Sequence, residues 1–249
     1  GWVPVEIANL LRWLITLAAV HTMTTQKKTG GLIKTNIGMT LLAYGLVLYA
    51  SFLTRSGVLG EASVHSFADP GNLAFTLLVL ALVIFIGGSL VIFIMRWRDM
   101  RVAGSDYKIL SRETGLSIGS AVLGASALVV FIGTSAPLIS KKVDVSIYGN
   151  LHVPIAIALM MVNGLTMLLK WKQSGLREMF KKGAIALTLA AIAGVGLYLA
   201  GIDDIGYLLV ATFACFALFV TIDIASKLLS SRVHLKYQGG RGNGKGKLF

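Results

Sequence analysis

The sequence predicts an all-α membrane protein, a polytopic bundle of about seven transmembrane helices. Its composition is the first indication. Hydrophobic residues make up 55% of the 249 residues and charged residues only 14%, whereas an ordinary soluble domain carries about 25% charged residues. The second indication is that the apolar residues are gathered in long runs, each close to the length that crosses a bilayer. The third is the distribution of basic residues, which alternates between the two sides of such a bundle.

Seven apolar segments approach the roughly 20 residues that a transmembrane helix needs. They cover residues 5–23, 36–54, 73–95, 114–138, 153–169, 183–200 and 207–226. The sixth segment includes Gly194 and Gly196, which suit close contacts between helices in lipid. In the seventh, Asp223 and Lys227 are four residues apart and are expected to pair on one helix face. Residues 1–226 are thus predicted to form a transmembrane domain, and residues 227–249 a basic, glycine-rich cytoplasmic segment.

Basic residues set the orientation of the bundle. The segments 24–35, 96–112, 170–182 and the tail from residue 227 carry 19 of the 23 Lys and Arg residues. By the positive-inside rule these four segments lie in the cytoplasm. The intervening loops, including residues 55–72 and 139–152, then face outward, which in a bacterial inner membrane is the periplasm.

Composition also excludes several functions. The net charge of +12 follows from the basic cytoplasmic loops, so we expect membrane lipid and no nucleic acid as a partner. Cys215 is the single cysteine, which leaves no CxxC pair and no internal disulfide. Walker, HExxH and GxSxG motifs are absent from the sequence.

His65 and Arg55 lie in the outward loop between the second and third spans. An imidazole on such a loop can reach the iron of a flat cofactor at the membrane surface, so His65 is a candidate haem ligand. An ordinary solvated histidine is the alternative. Arg55 can pair with a haem propionate through its planar guanidinium, or can simply extend its side chain from the end of the span to water.

His21 lies inside the first span, where ionisable residues are costly and often functional. Neutral imidazole is the form that binds iron, and burial favours that form. His21 is therefore the second candidate haem-iron ligand. The alternative is a histidine that is hydrogen-bonded between helices or that lies at the inner interface.

A resemblance to a known family follows from three stretches of the chain. Thr54-Arg-Ser-Gly-Val-Leu and Ser63-Val-His-Ser-Phe-Ala-Asp-Pro70 resemble the segment that follows the tryptophan-rich periplasmic motif of the CcmF family, the haem-lyase subunits of cytochrome c maturation. The opening Gly1-Trp-Val-Pro-Val-Glu-Ile-Ala8 resembles the end of that motif, and Ser111-Arg-Glu113 falls in the same order as in the family.

The resemblance implies a haem-handling membrane domain of cytochrome c assembly. His21 would match the family's transmembrane ligand of a stable haem b, and His65 would match a periplasmic ligand of haem delivered by the chaperone CcmE. Trp2 would belong to the surface on which that haem lies. The expected partners are CcmE, a CcmH-type apocytochrome-binding subunit and apocytochrome c, with haem vinyl groups joined to apocytochrome thiols.

This sequence departs from the family pattern at several positions. Val3 and Ile7 replace the usual Asp and Asn, and Arg12 stands where a proline is common. The first periplasmic histidine and the second transmembrane histidine have no counterpart in the 249 residues. We therefore expect a fragment or one part of a split gene, with the 1–226 domain truncated at both ends, and leave open whether this chain alone is an enzyme. Two alternative functions remain. One is a haem-delivery or haem-export protein of the same superfamily, and the other is a multi-span secondary transporter with His21 in its substrate path.

Overall fold

The computed structural model describes residues 4–58, 71–100, 104, 106–136 and 145–242; for 4–6, 8, 145 and 231–242 it describes only the backbone. Seven helices and no strand are found in these ranges. They are α1 (Pro4–Thr29), α2 (Ile33–Arg55), α3 (Gly71–Met95), α4 (Arg112–Ser135), α5 (Val145–Leu168), α6 (Leu176–Leu199) and α7 (Ile205–Gly242). Each predicted apolar segment falls on one of these helices, which confirms the all-α class.

Six of the helices, α2 to α7, are long and apolar enough to cross a membrane. The exception is α1, whose apolar run is interrupted by polar residues such as Asn9, Arg12 and His21. A helix of 23 residues such as α2 is about 35 Å long, which exceeds the roughly 30 Å of hydrocarbon in a bilayer. The protein is a multi-pass membrane protein.

Two connections differ from the sequence prediction. The loop predicted at 24–35 is only a tight turn, in which Gly30 and Leu32 have positive φ angles of 73° and 62°. The outward loop predicted at 139–152 is helical from Val145 onward, since α5 begins there and includes Pro154. Hydropathy falls at the polar residues of this segment, but backbone hydrogen bonding continues through them. At the other end of the chain, α7 continues past residue 226 to Gly242.

The helices pack in a row, in the order α3, α2, α1, α4, α5, α7, with α6 against α7 and the edge of α5. One core joins α1, α2 and α4; its buried residues are Ile7, Leu11, Leu14, Ile15, Ala18, Leu46, Leu123, Ala127 and Val130. A second core joins α5, α6 and α7; its buried residues are Leu168, Ala186, Ala190, Phe216 and Val220. Thus α1 and α4 are neighbours although about 100 residues separate them.

Helix α3 contributes no buried residue to either core. It contacts α2 at one edge of the row, and a π-helical turn at Val83–Gly87 interrupts its α-helical hydrogen bonding. A helix with apolar residues on all sides is stable in lipid, where its own backbone bonds satisfy every polar group.

The basic loops gather at one end of the row, called the basic end and marked by Lys28, Lys34, Trp97, Arg112 and Trp171. Lys34 lies 4.4 Å from the ring centre of Trp97, and Lys28 lies 5.7 Å from that of Trp171. The two tryptophans are therefore at one interface, the position that an indole ring favours.

At the opposite end, the Tyr49 hydroxyl and the Ser135 hydroxyl are 2.7 Å apart, and the rings of Phe52 and Phe75 are 5.9 Å apart. These contacts join α4 and α3 to the last turns of α2. The two ends of the bundle thus differ: basic residues lie on tryptophan rings at one end, and uncharged side chains make these contacts at the other.

Candidate functional site

His21 lies on α1 beside the buried face that packs on α2 and α4. Its side chain is half-buried, and among the described residues its Nδ1 is buried without a hydrogen-bond partner. Its backbone carbonyl accepts a hydrogen bond from the Thr25 hydroxyl at 3.3 Å. A buried polar atom without a partner costs about 1–3 kcal/mol, so the imidazole is held at that cost in this position.

The polar residues around His21 are otherwise satisfied. Thr22, which is 3% exposed, donates to the Ala19 carbonyl at 3.0 Å. From α4, Ser120 donates to the Ala18 carbonyl at 3.1 Å, which ties the two helices together one turn before His21. These hydroxyls use backbone carbonyls as acceptors, as is usual for Ser and Thr inside a helix. His21 is the exception in this half of α1.

A contact between α1 and α2 fixes the level of His21 in the bundle. The side-chain amide of Asn36, near the start of α2, donates to Gln26 of α1. Arg55 ends α2, so at 1.5 Å per residue it lies about 20 Å further from the basic end than His21. His21 and Arg55 therefore cannot belong to one cofactor site, and the structure separates the two sites that the sequence proposes.

Arg55 is exposed at the end of α2 opposite the basic end. The Ser56 N–H makes the last helical bond, to the Phe52 carbonyl at 2.9 Å. The helix stops after it because Gly57 turns the chain, with φ at 74°. This places the guanidinium at a membrane surface, where it can reach water or an anionic group. His65 and Trp2, the other two predicted site residues, lie outside the described residues.

A metal centre built from protein ligands alone is not found in the described ranges, where no three His, Cys, Asp or Glu side chains come together. A haem needs less, since the porphyrin supplies four nitrogens and the protein supplies one or two axial ligands. Of the described residues that the sequence proposes as ligands, His21 fits that role by its position and its unsatisfied buried nitrogen.

Sequence reasoning missed a polar clasp at the basic end. Both oxygens of the buried Glu113 carboxylate, which is 1% exposed, accept from the Lys172 backbone N–H at 2.9 and 3.0 Å. The Arg112 guanidinium lies 5.6 Å from the ring centre of Trp171. The available signal was an acidic residue next to Arg112, just after a helix cap at Ser111, whose hydroxyl accepts from the Thr114 N–H.

The chain is 34% identical over 210 residues to the cytochrome c-type biogenesis protein ccl1 of Rhodobacter capsulatus, covering 80% of this chain and 31% of that protein. It is 32% identical over 226 residues to the cytochrome c-type biogenesis protein CcmF of Pseudomonas fluorescens, covering 85% and 32%. With CcmF of Escherichia coli it shares 37% identity over 142 residues, covering 57% and 21%. No family model matches the chain.

A solved structure, the cytochrome c haem lyase CcmF, has the same fold. The TM-score is 0.65 at 24% sequence identity, and the match covers 91% of this chain and 33% of that one. The chain thus spans about one third of the length of the first two relatives and of this structure. These matches confirm the resemblance seen in the sequence, and the chain is a homologue, over most of its own length, of the CcmF-type cytochrome c-type biogenesis proteins.

Proposed function

We propose that this chain is the part of a CcmF-type haem lyase that binds haem b through His21 and takes part in attaching haem to apocytochrome c. The observation that carries the proposal is the half-buried His21 with its unpartnered Nδ1, in a chain homologous to proteins of cytochrome c biogenesis. The proposal is made for a protein of which this chain spans about one third.

The role of His21 is to offer a neutral nitrogen to iron in the membrane-spanning part of the bundle. Ser120 of α4 bonds to the backbone one turn earlier, and Thr25 bonds to the His21 carbonyl. These contacts hold the backbone around His21, so the position of the residue on α1 is set before any iron binds. Haem b, when bound, supplies a redox-active iron, and a nonpolar surrounding keeps the imidazole in its ligating form.

The second proposed site is on the opposite membrane surface, at the loop that follows α2. Arg55 would pair there with a propionate, His65 would ligate the iron of haem delivered by CcmE, and Trp2 would lie against the porphyrin. The position of Arg55, exposed at the surface opposite the basic end, supports this assignment. The guanidinium suits a carboxylate because its N–H groups can donate two parallel hydrogen bonds.

The attachment itself joins an apocytochrome thiol to a haem vinyl group. The S–H bond adds across the C=C bond, sulfur bonds to one carbon and hydrogen to the other, and no external oxidant is consumed. This chain contributes no thiol at the opposite membrane surface, since Cys215 lies within α7. The reacting thiols would come from apocytochrome c, held by a CcmH-type subunit.

We place the protein in a bacterial inner membrane with its basic end in the cytoplasm. The gathering of Lys28, Lys34 and Arg112 at one end supports this orientation, because basic loops stay on the cytoplasmic side. The loop that contains His65 would then be periplasmic, where apocytochromes are matured.

The experiment measures haem in the purified, detergent-solubilised chain by its Soret band and pyridine haemochrome spectrum. His21→Gly is expected to lose the b-type spectrum and to regain it when free imidazole is added, because imidazole replaces the missing ligand. His152→Ala, a histidine near the opposite end of α5, is the matched control and should keep the spectrum. An unchanged spectrum in His21→Gly contradicts the ligand assignment. For the whole protein, loss of holocytochrome c in cells that carry His65→Ala is expected, and normal maturation contradicts the second site.

A further inference from the structure

A cavity of about 420 Å³ opens at the basic end, between the start of α4, the end of α5, the start of α6 and the lower part of α7. It is separate from His21 and from Arg55, and the proposed function does not use it. Arg112, Lys170, Lys182 and Lys227 line it from four different helices or their ends. Four cations around one cavity make the local potential positive, which favours an anion among them.

The carboxylates near the cavity are too few to neutralise these cations. Asp223 lies in the lining and binds Lys227 at 2.5 Å. Glu178 binds Lys170 at 2.6 Å and Lys182 at 3.2 Å, so one carboxylate serves two lysines. Two carboxylates therefore face four cations, which leaves an excess of positive charge in the cavity.

The guanidinium of Arg112, one of these four cations, is held in place at the cavity wall. One of its terminal nitrogens donates to the Met167 carbonyl at 3.0 Å, and the group lies over the Trp171 ring. Its Nε is buried without a hydrogen-bond partner among the described residues. The backbone around it is fixed, because the Arg112 N–H bonds to the Lys170 carbonyl at 2.9 Å. The guanidinium is thus positioned in advance and not fully satisfied.

The rest of the cavity wall is apolar and lies at the membrane boundary. Leu168 and Ile224 belong to the lining and extend into the helices that cross the bilayer, while Trp171 marks the interface. A free inorganic anion would use the charges but not this wall. A phospholipid would use both, with its phosphate among the cations and its acyl chains along the helices.

We propose that this cavity, called the headgroup cavity, binds the phosphate of an anionic phospholipid from the leaflet at the basic end. The lipid would connect α4, α5, α6 and α7, which otherwise meet here through Glu178 and through the backbone contacts of the Arg112 region. The charge excess decides the class of lipid, because a zwitterionic headgroup would bring a cation into an already positive cavity.

Native mass spectrometry of the purified chain, titrated with phosphatidylglycerol or phosphatidylcholine, tests the proposal. Phosphatidylglycerol is expected to bind at least fivefold more tightly. Lys182→Gln and Lys227→Gln should each weaken its binding about fivefold, the effect expected for one basic residue near anionic lipid. Lys181→Gln removes a neighbouring charge that is not in the lining, so this control should leave the affinity within twofold.

Asp223→Asn should change the affinity for phosphatidylglycerol in the opposite direction. It removes the carboxylate from the cavity and frees Lys227, so phosphatidylglycerol should bind more tightly than to the unchanged chain. A variant that merely perturbs folding would weaken binding instead. Equal affinity for the two lipids, equal losses in Lys181→Gln and Lys182→Gln, or weaker binding in Asp223→Asn would each overturn the proposal. An affinity for inorganic phosphate equal to that for phosphatidylglycerol would overturn the assignment to a lipid.

Discussion

Replacing Glu113 by alanine is the change that most directly tests how the basic end is held together. Glu113 is 1% exposed, and its carboxylate accepts the Lys172 backbone N–H with both oxygens. A hydrogen bond to a charged group stabilises a protein by about 1.5–3 kcal/mol. Glu113 also lies in the first turn of α4, where a negative charge adds about 0.3–1 kcal/mol. Together these figures predict a loss of about 2–4 kcal/mol.

The assay is unfolding of the detergent-solubilised chain by SDS titration, followed by tryptophan fluorescence, because Trp171 adjoins Lys172. Glu113→Gln keeps one oxygen acceptor and should cost less than Glu113→Ala. Glu178→Ala is the matched control, since Glu178 is also a first-turn carboxylate, in α6, but is exposed and paired only with lysine side chains. Its loss should be clearly smaller than that of Glu113.

Hydrogen exchange gives a local measurement of the same contact. The Lys172 amide should exchange faster in Glu113→Ala and unchanged in Glu178→Ala, because only the first variant removes its acceptor. If Glu113→Ala is no more destabilising than Glu178→Ala, or if the Lys172 amide keeps its protection, the carboxylate does not hold the two segments at the basic end together as described.

Two further changes test the packing of the helices. Gly194→Ala should destabilise the chain by about 1–3 kcal/mol, because the added methyl would meet the Thr212 hydroxyl at 2.6 Å. Gly196→Ala has nothing within 4 Å of the added methyl and should be neutral or stabilising. Similar losses for the two variants in the same SDS titration would refute the packing of α6 on α7. Tyr49→Phe should lower the free energy of unfolding by about 0.5–1.5 kcal/mol, because it removes the hydrogen bond to Ser135. In a double-mutant cycle with Ser135→Ala, most of that loss should appear as coupling energy between the two positions. Additive losses would contradict the bond.

Hydropathy and charge predicted which segments are helical and which end of the bundle is basic, because both depend on residues near one another in sequence. Each of the seven apolar segments falls on a helix. The expected pair Asp223–Lys227 is present at 2.5 Å, since four residues make one helix turn. The sixth segment was expected to make close contacts through Gly194 and Gly196. Gly194 does so, but Gly196 does not, because two positions along a helix point about 200° apart.

The order of the helices and the contents of the candidate sites could not be predicted in this way. Nothing in the sequence of α1 shows that Ala18 meets Ser120, because that contact depends on how two distant helix faces fit. The Glu113–Lys172 bond is also invisible to charge patterns, since its donor is a backbone N–H. For His21, its place in the first apolar segment indicated the residue and its depth, but only the structure shows a buried nitrogen without a partner.

The row of helices constrains the order in which the chain can assemble during synthesis. The Ala18 carbonyl and the Ser120 hydroxyl are 102 residues apart, so roughly 5–20 s of translation separates them at 5–20 residues per second. During that interval α1 and α2 can form a hairpin, and α3 can already have left the ribosome. If α3 docked on the open face of α1, it would occupy the place of α4. In the finished structure α3 lies beyond α2 and, among the described residues, makes no contact with α1, so that face of α1 is left to its late partner α4.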